Sequence, residues 1–340
     1  LHMTREPEGT GHQPMMEILA SSATLKPVVD WPYQGLSSPT YGPQRPGGQR
    51  MAVNYDRAAE SLGNILHMEH VNLMIPQQEP AVLFYITGLQ FTRDPFLMTG
   101  VDNMWVNMGR SQIHLPTRDP SPQRLRGTVG IVVPDLKEIE TSLSSIEQKL
   151  TETEFSFVRK NDCIEATCPW GNQLRIHEPA PEYGHMHIGM PYLDLNAPVG
   201  SAKNIARFYR EIIGATAHVG TRDGTACASV STGNSQYLHF VETDAPQPEY
   251  DGHHVAIYIA DFAGPYEKLI ALNLISQESD EYEWRFIDIV DLDTGKLIFK
   301  IEHEVRSATH PLYARPLVNR NPVQSNRGYR RGQDSFLEQI

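Results

Sequence analysis

The sequence predicts an α+β fold built from one unit, a strand, a helix and then about three strands, used four times. Three observations carry this. First, the chain repeats at a near-constant shift: Phe84-Tyr85 recurs as Phe208-Tyr209 and Ser111-Gln112 as Ser235-Gln236, both 124 residues on, and "GIVVPDL" at 130–136 matches "AIYIADF" at 256–262. Such self-similarity is the signature of duplicated architecture. Second, strand-like starts fall at His70, Thr128, His187 and His254, spaced by 58, 59 and 67 residues. Third, three of these starts are followed by an amphipathic helical pattern and then by short apolar strands.

The helices follow from a 3.6-residue period. Leu136, Ile139, Leu143, Ile146 and Leu150 fall on one face, as do Ile205, Phe208, Tyr209 and Ile212, and Tyr266, Leu269 and Ile270. Short segments such as "CASVS", "SQYLHFVE" and "KLIFKIE" supply the later strands of each unit. Gly171 and Gly295, 124 residues apart, each sit in a turn before an apolar strand. Outside the repeats, the first 48 residues hold seven prolines and six glycines with little periodicity, which predicts an extended arm. The stretch from Arg306 to Arg331 carries six arginines and no acid. Its prolines at 311, 316 and 322 forbid a long helix, so it reads as an irregular basic tail.

A net charge of −12 argues against a general binder of nucleic acid or anionic membranes. No apolar run approaches the length of a membrane span. Cys163, Cys168 and Cys227 form no CxxC pair and are expected as reduced thiols, which places the protein in the cytoplasm.

Candidate ligands come from strand alternation. From His254 onward, Val255, Ile257 and Ile259 form an apolar face that packs under helices, leaving His254, Ala256 and Tyr258 on the other face. His253 falls on the helix side or in the preceding turn. In "KLIFKIEHEVRS", Leu297, Phe299 and Ile301 share one face, and Lys300, Glu302 and Glu304 share the other. Two imidazoles and one carboxylate on one face would leave open coordination positions, which suits non-haem Fe(II) with a substrate and O2. Manganese, zinc, nickel or cobalt could take the same set.

The unit, together with "FYREIIGA", "HVAIYIADF" and "PWGNQLRIHEP", resembles the βαβββ module of the vicinal oxygen chelate superfamily over roughly residues 66–306. That superfamily includes glyoxalase I, bleomycin- and fosfomycin-resistance proteins and type I extradiol ring-cleavage dioxygenases. Four modules in one chain look most like the two-barrel extradiol enzymes. The resemblance implies four modules paired into two barrels. It divides the chain into an arm at 1–62, an N-terminal barrel at 63–180 without metal, a C-terminal barrel at 181–306 with the metal site, and a tail at 307–340. It also implies a first-strand ligand seven residues before the Asp closing the strand. Counting back from Asp261 and Asp194 gives His254 and His187. The third ligand would come from the last strand. Glu302 is expected there with Glu304 as the fallback, although the commonest family spacing from Gly295 falls on Phe299.

By the same resemblance, His239 would assist proton transfer, which suits an imidazole titrating near neutrality. It could equally be a structural histidine of a barrel wall. Tyr258 could hydrogen-bond a substrate oxygen. In the first half, His70 matches His187, but Thr128 stands where His254 would be, so a site of His70, His114 and Glu178 is the weaker candidate. The expected activity is an Fe(II)-dependent extradiol-type dioxygenase acting on a catechol-like aromatic with O2, in a homo-oligomer. A glyoxalase-like lyase or isomerase and a non-catalytic resistance-type binder are the alternatives.

Overall fold

A computed structural model describes residues 57–58, 60–97, 102–118, 121–321 and 324–331. The expected arm therefore lies almost wholly outside the described residues. Those described belong to one compact unit beginning at Asp56.

Four strand–helix–three-strand modules follow one another. The first comprises β1 (Ile65–Asn72), α1 (Gln78–Ala81, running on as a π-helix over Val82–Gly88), β2 (Thr92–Arg93), β3 (Asn103–Met108) and β4 (Ser111–Pro116). The second comprises β5 (Gly127–Val132), α2 (Leu136–Ile146), β6 (Ser156–Arg159), β7 (Cys163–Thr167) and β8 (Gln173–His177). The third comprises β9 (Gly189–Pro198), α3 (Ala202–Phe208, running on as a π-helix over Tyr209–Ile213), β10 (Ala217–Arg222), β11 (Thr225–Gly233) and β12 (Gln236–Thr243). The fourth comprises β13 (His254–Ile259), α4 (Ala263–Ala271), β14 (Ile275–Asp280), β15 (Glu283–Val290) and β16 (Leu297–Ser307).

Helix α2 shows how local sequence sets an element. Asp135 caps it, accepting from the backbone N–H groups of Lys137 and Glu138, a contact typically contributing about 1 kcal/mol. Leu136, Ile139, Leu143 and Ile146 are its buried face, as the period requires.

Two eight-stranded sheets result, in the orders β14-β15-β16-β13-β1-β4-β3-β2 and β10-β11-β12-β9-β5-β8-β7-β6. The strand pairing departs from the sequential one expected. The first module shares a sheet with the fourth through antiparallel β1 and β13. The second shares a sheet with the third through antiparallel β5 and β9. The divisions at 63–180 and 181–306 thus each cut across both sheets. The chain crosses from one sheet to the other after β4 and crosses back after β12. Sequence repeats reveal that modules exist, but not which partners share hydrogen bonds, because every first strand has the same apolar face.

One contiguous hydrophobic core takes residues from both sheets and all four helices. Helix α3 packs on β10, β11 and β12 and also on β15 of the other sheet. The apolar face of β13 (Val255, Ile257, Ile259) and that of β16 (Ile301, Val305) are wholly buried there. His303 shares that core face, stacked on Phe286 at 4.3 Å and bonded to the Tyr209 hydroxyl at 2.6 Å. The three cysteines are buried and unpaired. Among the described residues no helix is long and apolar enough to cross a membrane.

Part of the basic tail is docked beside the first module. Arg315 donates to the buried Asp94 carboxylate at 2.8 Å, the Asn319 side chain bonds both N–H and C=O of Gly109 at 2.8 Å, and Asn107 donates to the Val318 carbonyl at 2.9 Å. Arg315 is therefore committed to Asp94.

Candidate metal centre

The sheet of the first and fourth modules presents a polar cup on the face turned from the core. On one rung across three strands, His70 of β1 stands opposite Ala256 of β13, which stands beside Glu304 of β16. Ala256 between them is small, so the two long side chains can converge over it. One step along, His254 reaches over from the neighbouring rung, where it pairs with Asn72 and Glu302. Ligand atoms of His70, His254 and Glu304 all lie within 4.8 Å of one another.

The supporting residues hold these groups in place. A register shift between Met68 and His70 in the β1–β13 pairing lets consecutive Glu69 and His70 both serve the cup, the usual effect of a bulge. His70 Nδ1 bonds the Glu69 carboxylate at 3.0 Å, while its Nε2 is buried with no hydrogen-bond partner among the described residues. Tyr258 donates to the other Glu69 oxygen at 2.9 Å. His254 Nε2 lies 3.3 Å from the Glu304 carboxylate. Glu304 also accepts from Arg285 at 2.5 Å and pairs with Arg306, which in turn reaches Glu69 and Glu283.

Electrostatics follow from this crowding. Burial would raise the Glu304 carboxyl, but the His254 hydrogen bond and the charges of His70, Arg306 and Arg285 hold it well below the usual range. Glu69 is likewise opposed by burial, yet its bond to His70 and the Arg306 charge bring it to about 2. Burial lowers His70, against the pull of Glu69. Four carboxyl groups, those of Glu69, Glu283, Glu302 and Glu304, thus gather around the two guanidinium groups of Arg285 and Arg306.

These features fit a divalent cation. The donor set is two imidazoles and a carboxylate, the type that suits Fe(II) and related metals. The buried His70 Nε2, without a hydrogen-bond partner among the described residues, is a polar atom that a bound ion would satisfy. A metal-binding histidine usually donates its other nitrogen to a carboxylate or carbonyl, the part Glu69 plays for His70.

The expected ligands map onto this geometry unevenly. His254 lies in the group. His187 does not: it is exposed, in a bend before β9. The count back from Asp194 misplaced it because Asp194 does not end its strand; β9 continues to Pro198. The residue of β9 that holds the place of His70, opposite the position of Ala256, is Tyr192. Glu302 shares the cup face, but its carboxylate pairs with Arg285 at 3.2 Å, and the grouped carboxylate is Glu304. The bulge at Glu69 and the rung through Ala256 decide this, and neither is readable from the spacing after Gly295. Tyr258 is in the cup, where it donates to Glu69. His239 is in the other sheet, bonded to Ser229 Oγ at 2.9 Å. At the corresponding strand position of the metal cup stands His114, opposite Asn72. It stacks on Trp105 at 3.7 Å, its ring lies 5.7 Å from that of His70, and its Nε2 bonds Asn103. Glu178 accepts from the Leu136 N–H and is not grouped with His70 and His114.

Sequence reasoning missed Glu69, Arg285 and Arg306. The alternation Glu302, Glu304, Arg306 on a strand facing Arg285 was the available signal. A cavity of about 260 Å³ is lined by Glu69 and Tyr258 together with Leu312, Ala314, Arg315, Pro316 and Leu317 of the tail.

No protein-family model matches the chain, and no curated protein matches it. Among solved structures, the V278E variant of glyoxalase I from Zea mays superposes with a TM-score of 0.51 at 13% identity, covering 72% of this chain and 92% of that one. Unsubstituted Zea mays glyoxalase I gives 0.49 at 12% identity, covering 72% and 92%. A Bacillus subtilis chain with the printed name "putative dioxygenase" gives 0.49 at 14% identity, covering 72% and 86%. The likeness to the V278E variant concerns the fold alone, the paired βαβββ modules described above.

Proposed function

We propose that this chain is a metal-dependent enzyme of the vicinal oxygen chelate kind, with His70, His254 and Glu304 holding a divalent ion. The convergence of those three donors around a buried imidazole nitrogen without a hydrogen-bond partner among the described residues is the observation that carries the reading. Iron(II) is the proposed metal, with manganese, zinc and nickel as the competing ions, since affinity alone does not select among them. When held by these residues, such an ion would supply Lewis-acid chemistry toward vicinal substrate oxygens, lowering the pKa of hydroxyls bound to it.

The chain's own residues do the rest. Glu69 fixes the tautomer and orientation of His70, and Tyr258 and Arg306 fix Glu69. Arg285 and Arg306 position Glu304. His114 is neutral, burial together with the charges of His70 and His254 pushing it down to about 2. His114 stands at the strand position that His239 holds in the other sheet, and its lowered pKa suits it to hydrogen-bond a substrate oxygen as a neutral ring rather than to take a proton. Leu312, Ala314, Arg315, Pro316 and Leu317 of the tail supply part of the wall of the adjoining cavity.

The reaction class this favours is O2-dependent cleavage of a catechol-like ring. Three protein ligands leave room for substrate and O2 together, whereas a glyoxalase-like isomerisation is usually served by a fourth protein ligand. The test is to prepare the protein anaerobically with iron, supply catechols, and follow O2 consumption together with a yellow ring-fission product. Both should appear, and both should vanish in Glu304→Ala. Retention of zinc or nickel with hemithioacetal isomerase activity and no O2 consumption would replace this reading with the glyoxalase-like one.

A further inference from the structure

The second sheet has a cup of its own, and its residues are not those of a metal centre. Strand register gives the equivalences. Tyr192 stands opposite Gly130, as His70 stands opposite Ala256. Gly130 stands beside Arg175, as Ala256 stands beside Glu304. Thr128 occupies the place of His254 and His239 that of His114. Two imidazoles and a carboxylate are thus exchanged for a phenol, a hydroxyl and a guanidinium.

This cup is open and large, with a volume of about 940 Å³, and Arg175, Tyr192, Arg222, Tyr237 and His239 line it. Its floor is built. A Cβ at Gly130 would fall 2.4 Å from the Tyr192 ring, so that ring lies where only glycine leaves room. The Tyr192 hydroxyl bonds His177 Nε2 at 2.8 Å, and the Arg222 guanidinium lies 4.3 Å from the ring centroid. Arg222 is also tied to Asp194 at 2.6 Å.

Two groups remain available to a ligand. Arg175 has its carboxylate neighbours Asp223 and Glu165 at 3.5 and 4.0 Å, and those acids are themselves exposed, at 79% and 47%. Exposed pairs at such separations contribute little. The second group is Tyr237, 38% exposed and stacked on His239, which presents a planar aromatic wall. His239 Nδ1 is engaged with Ser229, so its Nε2 is the nitrogen left to the cavity.

We propose that this second cup is a metal-free binding site for a small aromatic carboxylate, with Arg175 taking the carboxylate and the Tyr237–His239 stack taking the ring. A guanidinium fork matches a carboxylate in geometry and charge. A concave pocket with a few convergent polar groups on aromatic walls is the usual form of a small-molecule site. The site is independent of the proposed metal, because no residue of the cup belongs to the His70–His254–Glu304 group.

The experiment uses the full chain and 4-fluorobenzoate, observed by fluorine NMR, with benzoate, cyclohexanecarboxylate and inorganic phosphate as competitors. Saturable binding is expected, displaced by benzoate better than by cyclohexanecarboxylate or phosphate. Arg175→Gln should weaken it about 10- to 100-fold, the effect of losing a charge-assisted hydrogen bond. Tyr237→Ala should weaken it about 3- to 10-fold, as loss of a stacking partner does. His254→Ala should leave it unchanged. Absence of saturable binding, binding indifferent to Arg175→Gln, equal displacement by phosphate, or loss of binding in a folded His254→Ala protein would each overturn the proposal. Urea unfolding of every variant shows whether a loss reflects the site or the fold.

Discussion

The two cups of this protein are the same scaffold with opposite chemistry. Each forms where the first strands of two modules pair antiparallel, and each places corresponding residues on corresponding rungs. In one, the rung reads His70, Ala256, Glu304; in the other, Tyr192, Gly130, Arg175. The first gathers an excess of carboxylates around imidazoles. The second sets Arg175 and Arg222 at an aromatic floor, with Asp162, Glu165, Glu182 and Asp223 also on its lining. The backbone supplies convergence in both cases, and the side chains alone decide whether that convergence suits a cation or an anion. This is the general lesson that folds host sites and do not specify them.

The comparison can be broken or sharpened directly. The largest effect is expected from transplanting one rung set into the other cup. The triple variant Thr128→His, Tyr192→His, Arg175→Glu should raise metal content from one ion per chain to two, measured by elemental analysis after dialysis. A count unchanged in a folded variant would mean that the Glu69-type support, absent from the second cup, matters as much as the ligands. An intermediate effect concerns the tail docked beside the first module. Arg315→Ala leaves the buried Asp94, among the described residues, with Gln112 and the Phe96 and Leu97 N–H groups as partners. The expected cost is about 1–3 kcal/mol in urea unfolding, with faster tryptic cleavage after Arg320. No comparable change is expected in 4-fluorobenzoate binding, since the tail residues do not line the second cup.

A further effect, seen only on acidification, is a pH dependence from the second cup. Burial, with the Arg222 charge, lowers His239 to about 3, whereas an unfolded histidine titrates near 6.5. Above about pH 6.5 the ring is neutral in both states and contributes no slope. Between about 6.5 and 3 only the unfolded chain takes the proton, so stability falls on acidification by up to about 1.4 kcal/mol per pH unit. His239→Gln should flatten that slope between pH 6 and pH 4 in denaturant titrations. An unaltered slope would place His239 in a wetter setting than the cup described.

Much of this was legible in the sequence. The repeat shift exposed the modules, and the 3.6-residue period exposed α2 and the helical segments around Phe208 and Leu269. Strand parity placed His254, Tyr258, Glu302 and Glu304 on one face of their strands. What escaped was non-local. Which first strands pair is fixed by two crossings between sheets, and these leave no mark in periodicity. The bulge at Glu69 puts two consecutive residues to work in the cup, which strict alternation forbids. The continuation of β9 past Asp194 undid the count that selected His187. The choice of Glu304 over Glu302 depends on a rung shared with His70, a residue more than 200 positions away. Each miss was a question of register, and register is set by tertiary pairing.

The account rests on which imidazole shares an ion with His254. The most direct measurement is the metal content of anaerobically prepared wild type, His70→Ala and His187→Ala proteins, each shown to be folded by circular dichroism. Wild type and His187→Ala should retain one ion per chain and His70→Ala none. Retention by His70→Ala, or loss from His187→Ala alone, would contradict it.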